Sequence, residues 1–274
     1  MKRFLMIWIA LFFTASFAWA QTSPDFYLTQ IPPAPKSACN LKADEKTPYL
    51  QTLRILKDRM DRDILQKKED LQVHVDASRD KALAGTAPRS AMEKVTAKGA
   101  GASEAKPADP KAREAAGQTK IRHELQVEQK ALLERINARK ATVLNKLKLL
   151  DQNAAAAKAK ELDPLQRQIS SMSGVVTSKE QTERMDKLAQ KLKDAQKLYC
   201  ETYSSQYLAL LAEYLSVVKE SLPDYKRLEE IIAKTQLGLD KPLDSNAGLM
   251  GIEALRDYVI LLGKVFKYDL PYEY

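Results

Sequence analysis

The stretch SKEQTERMDKLAQKLKDAQKLYCETYSSQYLALLAEYLSVVKES, residues 178–221, decides the fold. Its apolar positions run Met185, Leu188, Leu192, Ala195, Tyr199, Tyr203, Tyr207, Leu210, Tyr214 and Val217, in steps of three and four. That spacing draws one stripe along a helix, and the period-two alternation of a half-buried strand is missing. Ser178, with Gln181 three residues on, forms a capping box that starts the helix. Pro223 is expected to end it, because proline lacks the amide hydrogen that the helix ladder needs. A long helix with one stripe must bury that stripe against other helices.

The flanking sequence supplies them. Upstream, a first helix is expected from Ala43 to about Leu83, with Leu53, Leu56, Met60, Ile64, Leu71 and Val75 in the same spacing and Lys67 interrupting. A second is expected from Lys111 or Thr119 to Leu162, on Leu125, Leu132, Ile136, Val143, Leu147, Leu150 and Ala154, with Pro164 breaking the pattern. Between them, residues 84–117 hold Gly85, Gly99, Gly101 and Gly117, Pro88, Pro107 and Pro110, and no aromatic residue. Such a stretch buries too little apolar surface to offset its ordering entropy and reads as a flexible tip.

Downstream, a short helix after Pro223 is closed by Gly238, and a last one runs from Asn246 to Tyr268, with Ser245 as its cap. Residues 21–42 contain Pro24, Pro32, Pro33 and Pro35 and read as an extended path. The expected fold is all-α. It consists of a long antiparallel helical hairpin over 43–162, a coiled-coil-like arm with its tip at 84–117, and a small C-terminal helical bundle over 178–274.

Residues 1–20 read as a signal peptide. Met1-Lys2-Arg3 is a short positive region, Phe4 to Phe17 is apolar, and Ala18 and Ala20 place small residues where a signal peptidase acts, so cleavage is expected near Ala20. The apolar run is shorter than the ~20 residues of a membrane span. The expected location is periplasmic or secreted. In an oxidising compartment, Cys39 and Cys200 read as one disulfide, and there is no Cys-x-x-Cys to suggest redox chemistry.

No catalytic, metal or cofactor residue is predicted. His123-Glu124 opens like a zinc-protease helix, but Val127 stands where the second imidazole is needed. The other histidine, His74, belongs to a different helix. Glycine-rich phosphate loops, a nucleophile elbow and a haem-attachment motif are all missing. Carboxylate pairs such as Glu229-Glu230 read as ordinary solvent faces of helices.

The net charge is +8, from 44 Lys and Arg against 36 Asp and Glu, but acids lie between the bases along each helix. This reads as solvated helix surface rather than a nucleic-acid stripe. Peripheral membrane contact and self-association stay open.

The tyrosines Tyr199, Tyr203, Tyr207 and Tyr214 fit either an aromatic platform for a protein partner or core packing. The tail residues Tyr272 and Tyr274 either dock a partner or fold back on the bundle. The expected function is a non-enzymatic exported scaffold or adaptor, serving an envelope or secretion assembly. The alternative is a periplasmic holdase-type chaperone.

Overall fold

The computed structural model describes residues 23–39, 41–85, 110–172, 178–239, 243 and 247–270. The regular elements among them are all helical: α1 (Pro24–Gln30), α2 (Ala43–Gly85), α3 (Pro110–Ala157), α4 (Asp163–Met172), α5 (Lys179–Ile232) and α6 (Leu249–Leu262). A π-turn, Lys158–Leu162, joins α3 to α4; another, Ala233–Leu237, ends α5; and a 3₁₀ turn, Val265–Tyr268, follows α6. Residues 1–20, read above as a signal peptide, most of the segment 84–117 and the tail tyrosines Tyr272 and Tyr274 lie outside the described residues.

The α5 helix starts at the capping box: Ser178 Oγ accepts from the Gln181 amide, and the Gln181 side chain accepts from the Ser178 amide. It does not stop at Pro223 but continues to Ile232, over 54 residues. A proline inside a helix costs ~3 kcal/mol. Here Ser221, Tyr225 and Leu228 are buried on either side of it, and their packing offsets that cost. The short separate helix expected after Pro223 is therefore the last part of α5.

Pro164 does not break the chain either. The Asp163 amide bonds to the Lys158 carbonyl, five residues back. This wider turn admits one more residue, and the chain passes a ring that would crowd the Lys160 carbonyl in a regular helix.

The N-terminal segment also differs from the extended path expected. Ser23 accepts from the Phe26 amide at 3.2 Å, and Pro24 occupies the first helical turn of α1, where its missing amide hydrogen costs nothing. Tyr27 is fully buried, and its hydroxyl donates to Asp63 of α2.

The same segment packs so closely on α6 that Gly251 is required there. A Cβ on Gly251 would stand 2.6 Å from Pro24 Cγ and 3.1 Å from a methyl of Leu222. Gly251→Ala is expected to cost about 1–3 kcal/mol, the usual penalty of overpacking, and to loosen α1. Denaturant melts and limited proteolysis after Phe26 and Tyr27 would check this; unchanged stability would show that α1 does not rest on α6.

The α6 helix begins at Gly248, whose left-handed φ of 76° turns the chain, and not at Ser245, which lies outside the described residues. The helix ends at Leu262, and the 3₁₀ turn carries the chain to Tyr268.

Polar pairs fix the directions. Arg227 meets Glu128, Arg135 meets Asp224, Lys146 meets Glu213, and Tyr203 donates to the Asn153 carbonyl. Residue numbers fall on α3 as they rise on α5, so the two helices are antiparallel over most of their length. The same reasoning sets α6 antiparallel to α5, through Glu229 with Gly248 and Tyr207 with Leu261. It sets α2 antiparallel to α6, through Lys46 with Asp269, Asp61 with Arg256, and Lys68 with Glu253.

The contacts thus mark α5, rather than α2, as the long antiparallel partner of α3, and α6 as the partner of α2. One apolar core runs through all of them, from Met60 and Ile64 of α2 through Ile136 and Val143 of α3 and Leu211 and Val218 of α5 to Ile252 and Leu255 of α6. Because α5 is flanked by both α3 and α6, its buried face is turned slightly from the predicted stripe. Gln196, Ser204, Leu211 and Val218 are buried, while Leu210 and Val217 are half-buried.

Candidate functional site

The least ordinary chemistry lies where α6 begins. Lys67 stands on the apolar stripe of α2 and is only 4% exposed. Its Nζ donates to the Ala247 carbonyl at 3.0 Å. Glu229 of α5 is 3% exposed, and its carboxylate accepts from the amides of Gly248 at 2.8 Å and Met250 at 3.1 Å. It therefore caps the first turn of α6 from another helix, satisfying donors that the helix itself cannot.

Burial pulls the Lys67 ammonium below its ordinary value, against the pull of Glu229, Asp63 and Asp70. Burial pushes the Glu229 carboxyl up, opposed by the two amides and Lys67, with Glu253 adding to the rise. Each charge lowers the desolvation cost of the other. These groups are committed to backbone partners, which makes the pair a lock between α2, α5 and α6.

The expectation that Glu229-Glu230 forms a solvent face is corrected here: Glu229 is buried, and Glu230 pairs with Arg227 at 3.2 Å. Both members of the lock left a trace in the sequence. Lys67 interrupts an apolar stripe, and Glu229 lies one helical turn beyond Tyr225 on the buried face. A cavity of about 440 Å³ adjoins the lock, between Pro24 and Asp25 of α1 and Leu222, Pro223 and Lys226 of α5.

The tyrosines gather at the other end of α6. Tyr199, Tyr207 and Tyr214 are buried, and Tyr203 is half-buried. Tyr268 joins them, with ring centroids 6.3, 6.0 and 5.8 Å from Tyr199, Tyr203 and Tyr207. The Tyr268 hydroxyl donates to Asp151, and the Tyr207 hydroxyl donates to the Leu261 carbonyl at 2.8 Å. Lys267 closes the cluster, with Nζ 4.4 Å from the Tyr207 ring centroid and in an ion pair with Asp151.

Burial is the main cause that raises the hydroxyls of Tyr199, Tyr207 and Tyr268 above their ordinary value, and Asp151 adds to it. The disulfide Cys39–Cys200 lies one residue along α5 from Tyr199, with a Cα–Cα distance of 5.8 Å. Of the six tyrosines considered for partner contact, the four on α5 thus lie in or against the core, and Tyr199, Tyr203 and Tyr207 pack on Tyr268.

A second opening lies at the end of α5. A crevice of about 470 Å³ opens between Gln118, Ile121, Arg122 and Leu125 of α3 and Lys234, Gly238 and Leu239 beyond α5. His74 and His123 are both exposed. Among the described residues, no three His, Cys, Asp or Glu side chains gather as a metal site. No helix among them is long and apolar enough to cross a membrane.

No protein-family model, no curated protein and no solved structure matches the chain.

Proposed function

We propose that this chain is a non-enzymatic helical scaffold or adaptor that works outside the cytoplasm by binding a protein partner, as part of an envelope or secretion assembly. The observation that carries the reading is the way helices leave the shared core. Past the lock, α2 continues from Asp70 to Gly85 with no fully buried residue among its described side chains, and the antiparallel order places the first turns of α3 toward the same end. At ~1.5 Å per residue the α2 extension reaches ~24 Å. These two segments, with the tip at 84–117, form the proposed arm.

At the opposite end, α4 packs on the first turns of α5, with Leu165, Ile169, Met185 and Leu188 half-buried. Helices that run on from a locked bundle suit spacing and docking better than enclosing a substrate. The disulfide is compatible with export.

Cross-linking in intact cells, followed by recovery of the tagged chain and of a variant lacking residues 86–116, tests the proposal. A single stoichiometric partner, lost with the deletion, is expected. Many exported proteins recovered with both forms would instead favour a holdase-type chaperone. Recovery of the chain alone would sink the adaptor reading and point to self-association.

A further inference from the structure

The core stripe of α3 loses its cover toward the N-terminus of the helix. From Ala154 through Val143 and Leu132 it is covered. Leu125, half-buried, and Ile121, exposed, continue it toward the N-terminus of α3, beside the π-turn in which α5 ends at Leu237. Gly238 then turns left-handed, with φ 66°, and Leu239 follows.

The crevice left at this point has Leu125 and Leu239 as its floor, and Ile121, 57% exposed, stands at its edge. Its charged lining is Arg122 and Lys234, both exposed, and no carboxylate among the described residues lines it. Lys234 acts on the carboxylate of Glu128, which Arg227 already holds by two hydrogen bonds of 2.8 and 2.9 Å. Arg122 forms no ion pair among the described residues.

We propose that this crevice is a docking site for an acidic, amphipathic segment of a protein partner, which lays aliphatic side chains on Leu125, Ile121 and Leu239 and carboxylates against Arg122 and Lys234. The proposal rests on the adaptor reading above. The charge of the site is complementary to such a segment and to no basic one. An aliphatic recess without an aromatic ring lacks the stacking platform that single-stranded nucleic acid uses. Two cations fall short of the cluster of 4–8 that marks an anionic-lipid surface.

The full mature chain would be titrated with a fluorescent amphipathic peptide of Glu and Leu in helical register, and with its Lys and Leu counterpart. Saturable binding of the acidic peptide alone is expected, weakening as salt rises. The double variant R122E/K234E should weaken it about tenfold or more, and I121S should also weaken it, with thermal melts unchanged because all three side chains are exposed. L198S, at an exposed apolar position near the opposite end, should leave it unchanged.

Equal binding of the two peptides, no binding of the acidic one, or binding indifferent to R122E/K234E would each overturn the proposal. So would capture of phosphatidylglycerol vesicles through Arg122 and Lys234 without peptide binding. In cells, a stoichiometric partner retained by R122E/K234E would overturn this site and leave the adaptor reading standing, whereas no partner at all would sink the adaptor reading itself.

Discussion

Replacing both cysteines, as Cys39→Ala with Cys200→Ala, is expected to lower the melting temperature by about 10 °C. The bond joins residues 161 apart in sequence, so it removes a large closed loop from the unfolded ensemble. Chain-entropy reasoning gives up to ~5 kcal/mol for such a loop, with measured losses usually between 2 and 5. For a chain of this size, each kcal/mol moves the midpoint by roughly 2–4 °C.

The native state also loses an anchor. Ala38 and Cys39 are buried against the bundle, yet the described residues from Ile31 to Lys42 form no helix of their own. It is held by the disulfide and by contacts such as that from the Tyr49 hydroxyl to the Pro33 carbonyl, at 3.3 Å. Calorimetry of the oxidised chain, the reduced chain and the double variant would test this. Reduced protein and double variant should melt together, well below the oxidised form. Three equal midpoints would show that the bond constrains nothing the fold does not already fix.

The second large effect is expected at the lock. Glu229→Ala leaves the half-buried amides of Gly248 and Met250 without their acceptor, at about 1–3 kcal/mol each, and removes the carboxylate facing Lys67. A loss of about 3 kcal/mol is expected, with faster hydrogen exchange confined first to the opening turn of α6. Glu229→Gln keeps one acceptor oxygen and should lose less.

The pH dependence has a definite sign. Burial raises the Glu229 carboxyl, so the folded state holds its proton more tightly than the unfolded chain does. The stability tied to that proton is complete below the unfolded value near ~4.3 and is lost as pH rises through the raised value. The advantage of the native chain over Glu229→Gln should therefore be larger in mild acid than at neutral pH. Urea titrations of both proteins at the two pH values measure it; an advantage that shrinks in acid would mean that the site favours the anion.

The helical class and the seams of the bundle were legible residue by residue. Apolar steps of three and four marked α2, α3 and α5, and the capping box at Ser178 placed the start of α5. The Cys39–Cys200 pair followed from an even count, and Gly238 closes α5 in the left-handed conformation expected of it. The prolines misled. At Pro24, Pro164 and Pro223 the ring falls, in turn, in a first turn, beside a π-turn and between buried neighbours, and none of these settings can be read from the residue alone.

A local signal states what a residue prefers, and periodicity states which face of a helix must be covered. Neither names the covering element, because many helices offer interchangeable apolar stripes. Which helix pairs with which is decided by the sum of long-range packing. That sum set α5 against α3, turned the face of α5 toward two neighbours at once, and enclosed the carboxylate of Glu229, whose charge argues for solvent until the amides of α6 are brought to meet it.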